Sequence, residues 1–287
     1  MTEFVKNLLL ILSDIKIQHT VFALPFAIIS AFMAAGGIPE VAAIAWIMVC
    51  VIGARSAAMA FNRIVDARFD RLNPRTRNRP LAAKRVDTTS YWVFLIAASM
   101  LFIFASFKLN RLSFYLSPVA LSIVFFYSLT KRFTSLSHVF LGFALSVAPV
   151  GAWVAIREEV SLASLILGAA VVFWLAGFDI IYSCQDLESD TENRLHSIPR
   201  KFGVSKALKL AAGSHVLMIF FLVILSTLPL LDWLYLVGVF LVGILLIYEH
   251  SLIQPNNLSK VNIAFFNVNG CISVLLMTLV IVDSIWL

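Results

Sequence analysis

Long apolar runs, nearly free of charged residues, recur along the whole chain and limit its fold more than any other feature. Hydrophobic residues make up 61% of the 287 residues and charged residues only 13%, whereas soluble domains have about 45–50% apolar and about 25% charged residues. So few charges cannot cover a surface that faces water, and most of the chain is therefore expected to face lipid. No linker or low-complexity segment divides the sequence, so residues 1–287 are interpreted as one domain.

The apolar runs are long enough to cross a bilayer, which takes roughly 20 mostly apolar residues in a helix. They centre near Ala31, Met48, Ala98, Ile123, Val147, Val171, Phe220, Val239 and Leu275. Short polar breaks at residues 108–111, 157–159 and 231–232 separate neighbouring runs. The sequence therefore predicts an all-α membrane protein with about nine transmembrane helices.

Lysine and arginine are concentrated in alternate loops. If the N-terminus is cytoplasmic, the outer loops contain only Lys108, Arg111 and Arg157, and nearly all other basic residues lie on the inner side. The positive-inside rule therefore predicts a cytoplasmic N-terminus. Topology also accounts for the net charge of +6, so no nucleic-acid partner is needed to explain it. Two of the inner loops, at about 62–90 and 184–206, are long and densely charged, and function is expected there.

The first of these loops opens with polar residues at every fourth position, Asn62, Asp66 and Asp70. On a helix this spacing places all three side chains on one face. Carboxylates at this spacing repel one another unless a cation lies between them. Mg²⁺ takes oxygen ligands and commonly keeps phosphate oxygens in its coordination shell, so the motif indicates Mg²⁺ bound to a diphosphate.

The second loop repeats the pattern with Asp186 and Asp190, and Asp179 lies about two helical turns before them. An ionisable residue near the end of a transmembrane segment, such as Asp179, is costly there and is a functional candidate. A basic cluster follows each motif, and arginine offers paired hydrogen bonds to phosphate oxygens. These clusters are Arg75, Arg77 and Arg79 after the first motif, and Arg194, Arg200 and Lys201 after the second.

Other interpretations of the acidic motifs remain open at this point. The acids could simply balance the neighbouring arginines. A CDP-alcohol phosphotransferase also uses intramembrane aspartates, but the glycine of its DGxxAR pattern is missing between Asp66 and Asp70. A membrane transporter of an anionic amphiphile would be expected to have charges at the middle of several helices, whereas these charges lie at helix ends.

The same residues resemble the UbiA superfamily of intramembrane aromatic prenyltransferases along nearly the whole chain. Residues 62–80 (NRIVDARFDRLNPRTRNRP), 127–133 (YSLTKRF) and 179–190 (DIIYSCQDLESD) carry the resemblance. The combination of NxxxDxxxD with RTxxRP is highly specific within that family. The resemblance implies helices around a central cavity open sideways to lipid, with Mg²⁺ as cofactor and a prenyl diphosphate as substrate.

The resemblance also implies roles for individual residues. Metal and diphosphate binding fall to Asn62, Asp66, Asp70, Asp186 and Asp190. Positions near the reacting carbon and the diphosphate fall to Tyr127, Ser128 and Lys131, with Tyr127 as the ring expected to face the allylic cation. Asp179 matches an acid that precedes the second motif, and either Asp179 or Asp186 is expected to accept the proton of the acceptor ring. The further substrate-binding candidates are Arg75, Arg79, Tyr182, Arg200 and Lys201. Lys16 is expected to bind a substrate anion.

Within the superfamily, the chain resembles the bacterial 4-hydroxybenzoate polyprenyltransferase branch, through stretches such as GARSAAMAFNR at 53–63 and LHSIPRKFG at 195–203. This implies a bacterial inner-membrane enzyme of quinone biosynthesis that attaches a polyprenyl group to a small aromatic acid. The second motif reads QDLESD where that branch often has VDRDDD. The acceptor is therefore either 4-hydroxybenzoate or, as in menaquinone biosynthesis, a dihydroxynaphthoate.

Two kinds of residue are given structural interpretations. The five histidines, His138 among them, show no metal-ligand spacing and are interpreted as loop or interfacial residues. Gly142 and Gly151 are expected to let helices approach closely, as small residues do in membrane proteins.

Overall fold

The computed structural model describes residues 3–15 and 22–286. Within them the chain is a bundle of α-helices joined by mostly short connections. In chain order the helices are α1 (Glu3–Asp14), α2 (Leu24–Ala35), α3 (Val41–Leu72), α4 (Thr88–Leu109), α5 (Arg111–Thr130), α6 (Ser137–Arg157), α7 (Leu162–Ser183), α8 (Leu187–Glu192), α9 (Ile198–Phe202), α10 (Val204–Leu225), α11 (Trp233–Ser251) and α12 (Asn269–Trp286). A 3₁₀ turn precedes α8, and a π-helical segment, Ile263–Val268, leads into α12.

The predicted all-α membrane architecture is confirmed. In the described part of the chain, eight helical segments are long and apolar enough to cross a membrane, and they contain eight of the nine predicted centres. The ninth centre, Ala31, lies in α2, which is apolar but has only 12 described residues. The polar breaks at 108–111, 157–159 and 231–232 each contain the point at which one helix ends and the next has yet to begin, as predicted.

The first acidic motif lies on a helix and not in a loop. Helix α3 runs without interruption for 32 residues to Leu72, so the connecting segment begins at Asn73 and not near residue 62. Repulsion between the carboxylates does not unwind the helix, because neighbouring arginines and an asparagine contact them. The motif thereby gains a rigid base that extends from the apolar part of α3.

Helices α6 and α7 approach each other closely at Gly142. A Cβ atom on this residue would lie 2.5 Å from the backbone oxygen of Val172, far inside van der Waals contact. Only glycine fits at this point, as predicted. The same prediction is wrong for Gly151, where a Cβ atom would meet nothing within 4 Å. Because α6 and α7 are antiparallel, the approach at Gly142 brings the start of α6 against the end of α7.

Helix α1 is held to the bundle by a buried ion pair. Arg63 on α3 lies 3.2 Å from the Asp14 carboxylate and donates a hydrogen bond to the Asp14 carbonyl oxygen. Tyr91 on α4 donates to the same carboxylate at 2.6 Å. All three residues are buried, so the charge of Asp14 is compensated where water cannot reach it. The chain just before residue 16 is thus anchored beside the first motif.

Candidate functional site

A cavity of about 1220 Å³ runs between the helices, from the acidic motifs at one end of the bundle to Leu109 and Val160 near the other. Its wall is apolar along α3, α5 and α6 and becomes charged where the two acidic motifs lie. Such a cavity can hold a molecule with a long apolar tail and an anionic head. We call it the central cavity, and the end with the motifs the motif end.

The first motif lines the central cavity with all three of its polar side chains, Asn62, Asp66 and Asp70. Asn62 donates a hydrogen bond from Nδ2 to Asp66 Oδ2 at 2.8 Å, which confirms that the i, i+4 spacing places the side chains on one helical face. Arg79 donates from one nitrogen to both Asp70 oxygens, at 2.7 and 2.9 Å. The motif therefore presents oxygen atoms whose charges are partly balanced by an arginine from the following segment.

The second motif reaches the same cavity through Asp186 and Asp190. Arg75 donates to Asp186 through two nitrogens, Nε to Oδ1 at 3.0 Å and Nη2 to Oδ2 at 2.6 Å. Asn73 donates to Asp186 Oδ1 as well, at 3.1 Å. Asp190 is buried, and its Oδ2 has no hydrogen-bond partner among the described residues. A buried carboxylate oxygen without a partner beside a charged cavity is a candidate ligand for a cation.

Lys131 provides the cavity with a cation that no carboxylate neutralises directly. Within the described residues, its ammonium group makes no hydrogen bond and no ion pair, although it lines the cavity. Burial lowers the pKa of Lys131, but the charges of four nearby carboxylates outweigh this effect and raise it above the ordinary value. Those carboxylates belong to Asp190, Asp179, Asp186 and Asp66. The lysine therefore stays charged and can bind an incoming anion.

Aromatic and small polar residues complete the motif end. Tyr127 and Ser128, one turn before Lys131, both line the cavity. Tyr182 accepts a hydrogen bond from Arg75 at 3.1 Å, and the Arg75 guanidinium lies 5.2 Å from the centre of its ring. The Tyr182 ring lies 4.2 Å from that of Phe265. An aromatic wall thus stands next to the charged groups.

Asp179 lines the cavity and is held from behind by a histidine. His138 Nδ1 lies 2.7 Å from Asp179 Oδ2, and the His138 side chain is completely buried whereas that of Asp179 is 18% exposed. The interpretation of His138 as a loop or interfacial residue is therefore wrong. Its sequence context gives no signal, because the contact depends on how α6 packs against α7.

Two predicted substrate-binding residues lie outside the central cavity. Arg200 donates its hydrogen bond to the carbonyl oxygen of Leu195 at 2.5 Å, and Lys201 lies over the ring of Phe202. Both residues belong to the single turn of α9, which directs their charged ends to other parts of the motif end. The predicted anion-binding residue Lys16 lies outside the described residues.

Asn73 and Arg132 take part in the site although sequence reasoning did not single them out. Arg132 lines the cavity, donates to the carbonyl oxygen of Val65 at 2.6 Å and lies 3.5 Å from Asp66. Their positions next to Leu72 at the end of α3, and next to Lys131, were the only sequence signals available. Asn73 contacts Asp186 and Arg132 contacts Asp66, and both contacts join residues that are far apart in the sequence.

The donor set at the motif end fits Mg²⁺. In the described ranges, no group of three or more His, Cys, Asp or Glu side chains is already gathered around one point. Mg²⁺ does not need such a cage, because it is commonly bound by one or two carboxylates together with waters and phosphate oxygens of the substrate. Among the described lining residues, the motif end offers carboxylate and amide oxygens, and Cys50, the cysteine in the cavity wall, lies about three helical turns away from Asn62 on α3.

Comparison with known proteins identifies the family of this chain. The UbiA prenyltransferase family profile matches residues 23–271. The 4-hydroxybenzoate octaprenyltransferase of Marinobacter nauticus is 31% identical over 240 residues, which cover 83% of this chain and 81% of that protein. The protein of the same name from Actinobacillus pleuropneumoniae serotype 5b is 34% identical over 55% of this chain. In that alignment the chain spans only 54% of the relative's length.

Solved structures show the same fold. A UbiA homologue from Aeropyrum pernix K1, in its apo form, superposes with a TM-score of 0.84 at 32% identity, covering 93% of this chain and 98% of that one. A UbiA homologue from Archaeoglobus fulgidus, bound to GPP and Mg²⁺, superposes with a TM-score of 0.68 at 17% identity, covering 94% and 99%. The profile match and these superpositions cover most of the sequence, and the chain belongs to the UbiA prenyltransferase family.

Proposed function

We propose that this protein transfers a polyprenyl group from a prenyl diphosphate to a ring carbon of a small aromatic acid, with Mg²⁺ as cofactor. One observation carries the proposal: the oxygen atoms of both acidic motifs, three arginines (Arg75, Arg79 and Arg132) and Lys131 converge at the charged end of an otherwise apolar cavity. A diphosphate needs the charged end, and a polyprenyl chain needs the apolar part. Relatives named 4-hydroxybenzoate octaprenyltransferase support this substrate pair.

The diphosphate is bound by cations of this chain. Arg75, Arg79 and Lys131 all line the cavity, and guanidinium groups match phosphate oxygens in pairs of hydrogen bonds. Lys131 is free to contact the anion at once, whereas Arg75 and Arg79 contact Asp186 and Asp70 until it arrives. As the allylic carbon–oxygen bond breaks, these cations stabilise the charge that develops on the departing diphosphate.

Mg²⁺ would be held by oxygen atoms of the two motifs, those of Asn62, Asp66 and Asp70 in the first and of Asp186 and Asp190 in the second. When bound, the metal supplies Lewis-acid stabilisation of the diphosphate leaving group. The two Mg²⁺-bound homologue structures with prenyl diphosphates support this use of a metal.

The allylic carbon and the acceptor react next to Tyr127 and Asp179. An aromatic ring stabilises a nearby cation through its negatively charged face, and Tyr127 is the ring placed one turn from Lys131. The acceptor ring carbon forms the new carbon–carbon bond, and its proton passes to a carboxylate. Asp179 is suited to accept it, because its side chain faces the cavity. The apolar wall excludes water, which would otherwise capture the cation.

The protein is proposed to lie in the bacterial inner membrane with its motif end in the cytoplasm. The excess of Lys and Arg at that end supports this orientation through the positive-inside rule. In this orientation, a water-soluble aromatic acid and Mg²⁺ can enter the cavity from the cytoplasm.

The experiment is a product assay with purified protein in lipid, using Mg²⁺ and a long-chain prenyl diphosphate. Two acceptors, 4-hydroxybenzoate and 1,4-dihydroxy-6-naphthoate, are offered separately, and products are identified by mass spectrometry. Asp66→Asn and Asp186→Asn test the motifs. Glu188→Gln is the matched control, because Glu188 is an exposed carboxylate between Asp186 and Asp190 that does not line the cavity.

We expect prenylated 4-hydroxybenzoate from the wild-type protein and from Glu188→Gln, and at least a hundredfold less from both motif variants. Product from the naphthoate alone would keep the reaction and change the acceptor. If neither product forms and the protein carries prenyl diphosphate across liposome membranes, the protein is a transporter and not an enzyme.

A further inference from the structure

The contact between His138 and Asp179 joins a fully buried histidine to a carboxylate that faces the central cavity. His138 is the second residue of α6 and Asp179 lies in the last two turns of α7. The two are brought together by the close approach of these helices at Gly142, one turn after His138. A fully buried histidine needs hydrogen-bond partners for both of its ring nitrogens, because water cannot supply them.

Both ring nitrogens of His138 have partners, and these fix its tautomer. The backbone N–H of Ile198 points to Nε2 at 3.4 Å, so Nε2 acts as the acceptor. Nδ1, 2.7 Å from Asp179 Oδ2, must then carry the proton and donate it to the carboxylate. Ile198 is the first residue of α9, and its N–H has no partner within that helix. His138 therefore joins the α9 turn to Asp179.

The hydrogen bond leaves one oxygen of Asp179 available. Oδ2 is occupied by His138, and within the described part of the chain Oδ1 has no hydrogen-bond partner. Because the side chain lines the central cavity, Oδ1 is the oxygen that a bound molecule can reach. His138 itself is fully buried behind Asp179 and does not line the cavity.

We propose that His138 is a positioning residue for the deprotonation step: its Nδ1–H fixes the Asp179 carboxylate so that Oδ1 receives the proton of the acceptor ring. This rests on the proposed function. The proton moves from the ring carbon to Asp179 as the ring regains its aromaticity, and His138 keeps its own proton throughout. A donor to Oδ2 holds the carboxylate in one rotamer, with Oδ1 left for the bound acceptor.

Two amide variants separate the contacts that His138 makes. The amide of asparagine reaches the position of Nδ1, so His138→Asn keeps a donor to Asp179 and loses the contact with Ile198. The amide of glutamine reaches the position of Nε2, so His138→Gln keeps an acceptor for Ile198 and loses the donor to Asp179. A purely structural histidine would be served better by glutamine, and a positioning histidine by asparagine.

The experiment measures kcat and the KM for prenyl diphosphate for the wild type, both variants, Asp179→Asn and the double variant His138→Gln with Asp179→Asn. We expect His138→Gln to lose about tenfold to a hundredfold in kcat, as small misplacements of a reacting group do. The KM should change less than about threefold, because the diphosphate is bound elsewhere in the cavity. His138→Asn should recover most of the lost kcat.

The double variant gives the sharper result. If His138 acts only through Asp179, adding His138→Gln to Asp179→Asn lowers kcat no further, whereas independent roles would multiply the losses. Binding of the Mg²⁺–prenyl diphosphate complex by each variant shows that the site is folded.

Equal kcat in His138→Gln and the wild type, or a multiplied loss in the double variant, would overturn the positioning role while the proposed function stands. A wild-type protein that binds the complex but makes no product with either acceptor would remove the proposed function and this inference together. Rescue by glutamine and not by asparagine would assign His138 to the α9 turn alone.

Discussion

Arg75 and Asp186, 111 residues apart in the sequence, are joined by two parallel hydrogen bonds of 3.0 and 2.6 Å. The arginine follows the first acidic motif and the aspartate belongs to the second. This pair links the two motifs across the motif end and keeps both groups in the central cavity. A diphosphate that takes over Arg75 would release Asp186 for a metal, so substrate and metal binding are expected to be coupled.

Arg75→Gln is expected to weaken binding of the Mg²⁺–prenyl diphosphate complex by about tenfold to a hundredfold, because a hydrogen bond to a charged group contributes about 1.5–3 kcal/mol. Titration with a fluorescent or radiolabelled prenyl diphosphate measures this. Arg77→Gln is the control, since Arg77 is exposed and does not line the cavity. Equal affinity in the two variants would show that Arg75 has only a structural role.

Asp190→Asn is expected to raise the Mg²⁺ concentration needed for half-maximal diphosphate binding by at least about tenfold, since each bound cation is held by few protein oxygens. The bare Oδ2 of Asp190 is replaced by an amide that attracts a cation much less. Glu188→Gln, with the same change of charge nearby, should leave the Mg²⁺ dependence unchanged. A parallel shift in both variants would point to a general electrostatic effect.

Gly142→Ala is expected to destabilise the protein by about 1–3 kcal/mol, as overpacking does in a tight interior. The new Cβ would lie 2.5 Å from a backbone oxygen of α7, so one helix must move. Gly213→Ala, where a Cβ would meet nothing within 4 Å, should be neutral or stabilising by up to about 1 kcal/mol, the gain in helix propensity over glycine. Thermal unfolding in detergent measures both, and similar melting temperatures would contradict the close approach.

Tyr91→Phe is expected to loosen α1 from the bundle. The buried Asp14 carboxylate loses the hydrogen bond that it accepts at 2.6 Å, at a cost of about 1.5–3 kcal/mol. Limited proteolysis should then cut within residues 3–15 faster than in the wild type. Tyr115→Phe, at a residue that is 70% exposed, should be cut at the wild-type rate.

The proposed orientation predicts which ends of the helices are reached from outside the cell. In a protein whose three cysteines, Cys50, Cys184 and Cys271, are replaced by alanine, Glu159→Cys should react with a membrane-impermeant maleimide in intact spheroplasts. Arg77→Cys, at the motif end, should react only after the membrane is opened. Both positions are exposed, so a reversed pattern would place the motif end outside.

Much of this protein could be predicted from the sequence because its signals are local. Hydrophobic runs of about 20 residues define helices in lipid, since a helix satisfies its backbone hydrogen bonds within its own segment. The i, i+4 spacing of Asn62 and Asp66 places them on one helical face whatever the rest of the chain does. The specific combination of residues 62–80 indicated the family in the same way.

The tertiary structure alone decided which side chains meet. Arg75 pairs with Asp186 while Arg200 turns to a backbone carbonyl, although both follow an acidic motif in the same way. His138 contacts Asp179 although it belongs to no sequence motif. The contact arises from the approach of two antiparallel helices at a glycine. Periodicity along one helix determines the face on which a residue lies. The residue that it contacts there depends on how separate helices pack against each other. That packing cannot be predicted from any single stretch of the sequence.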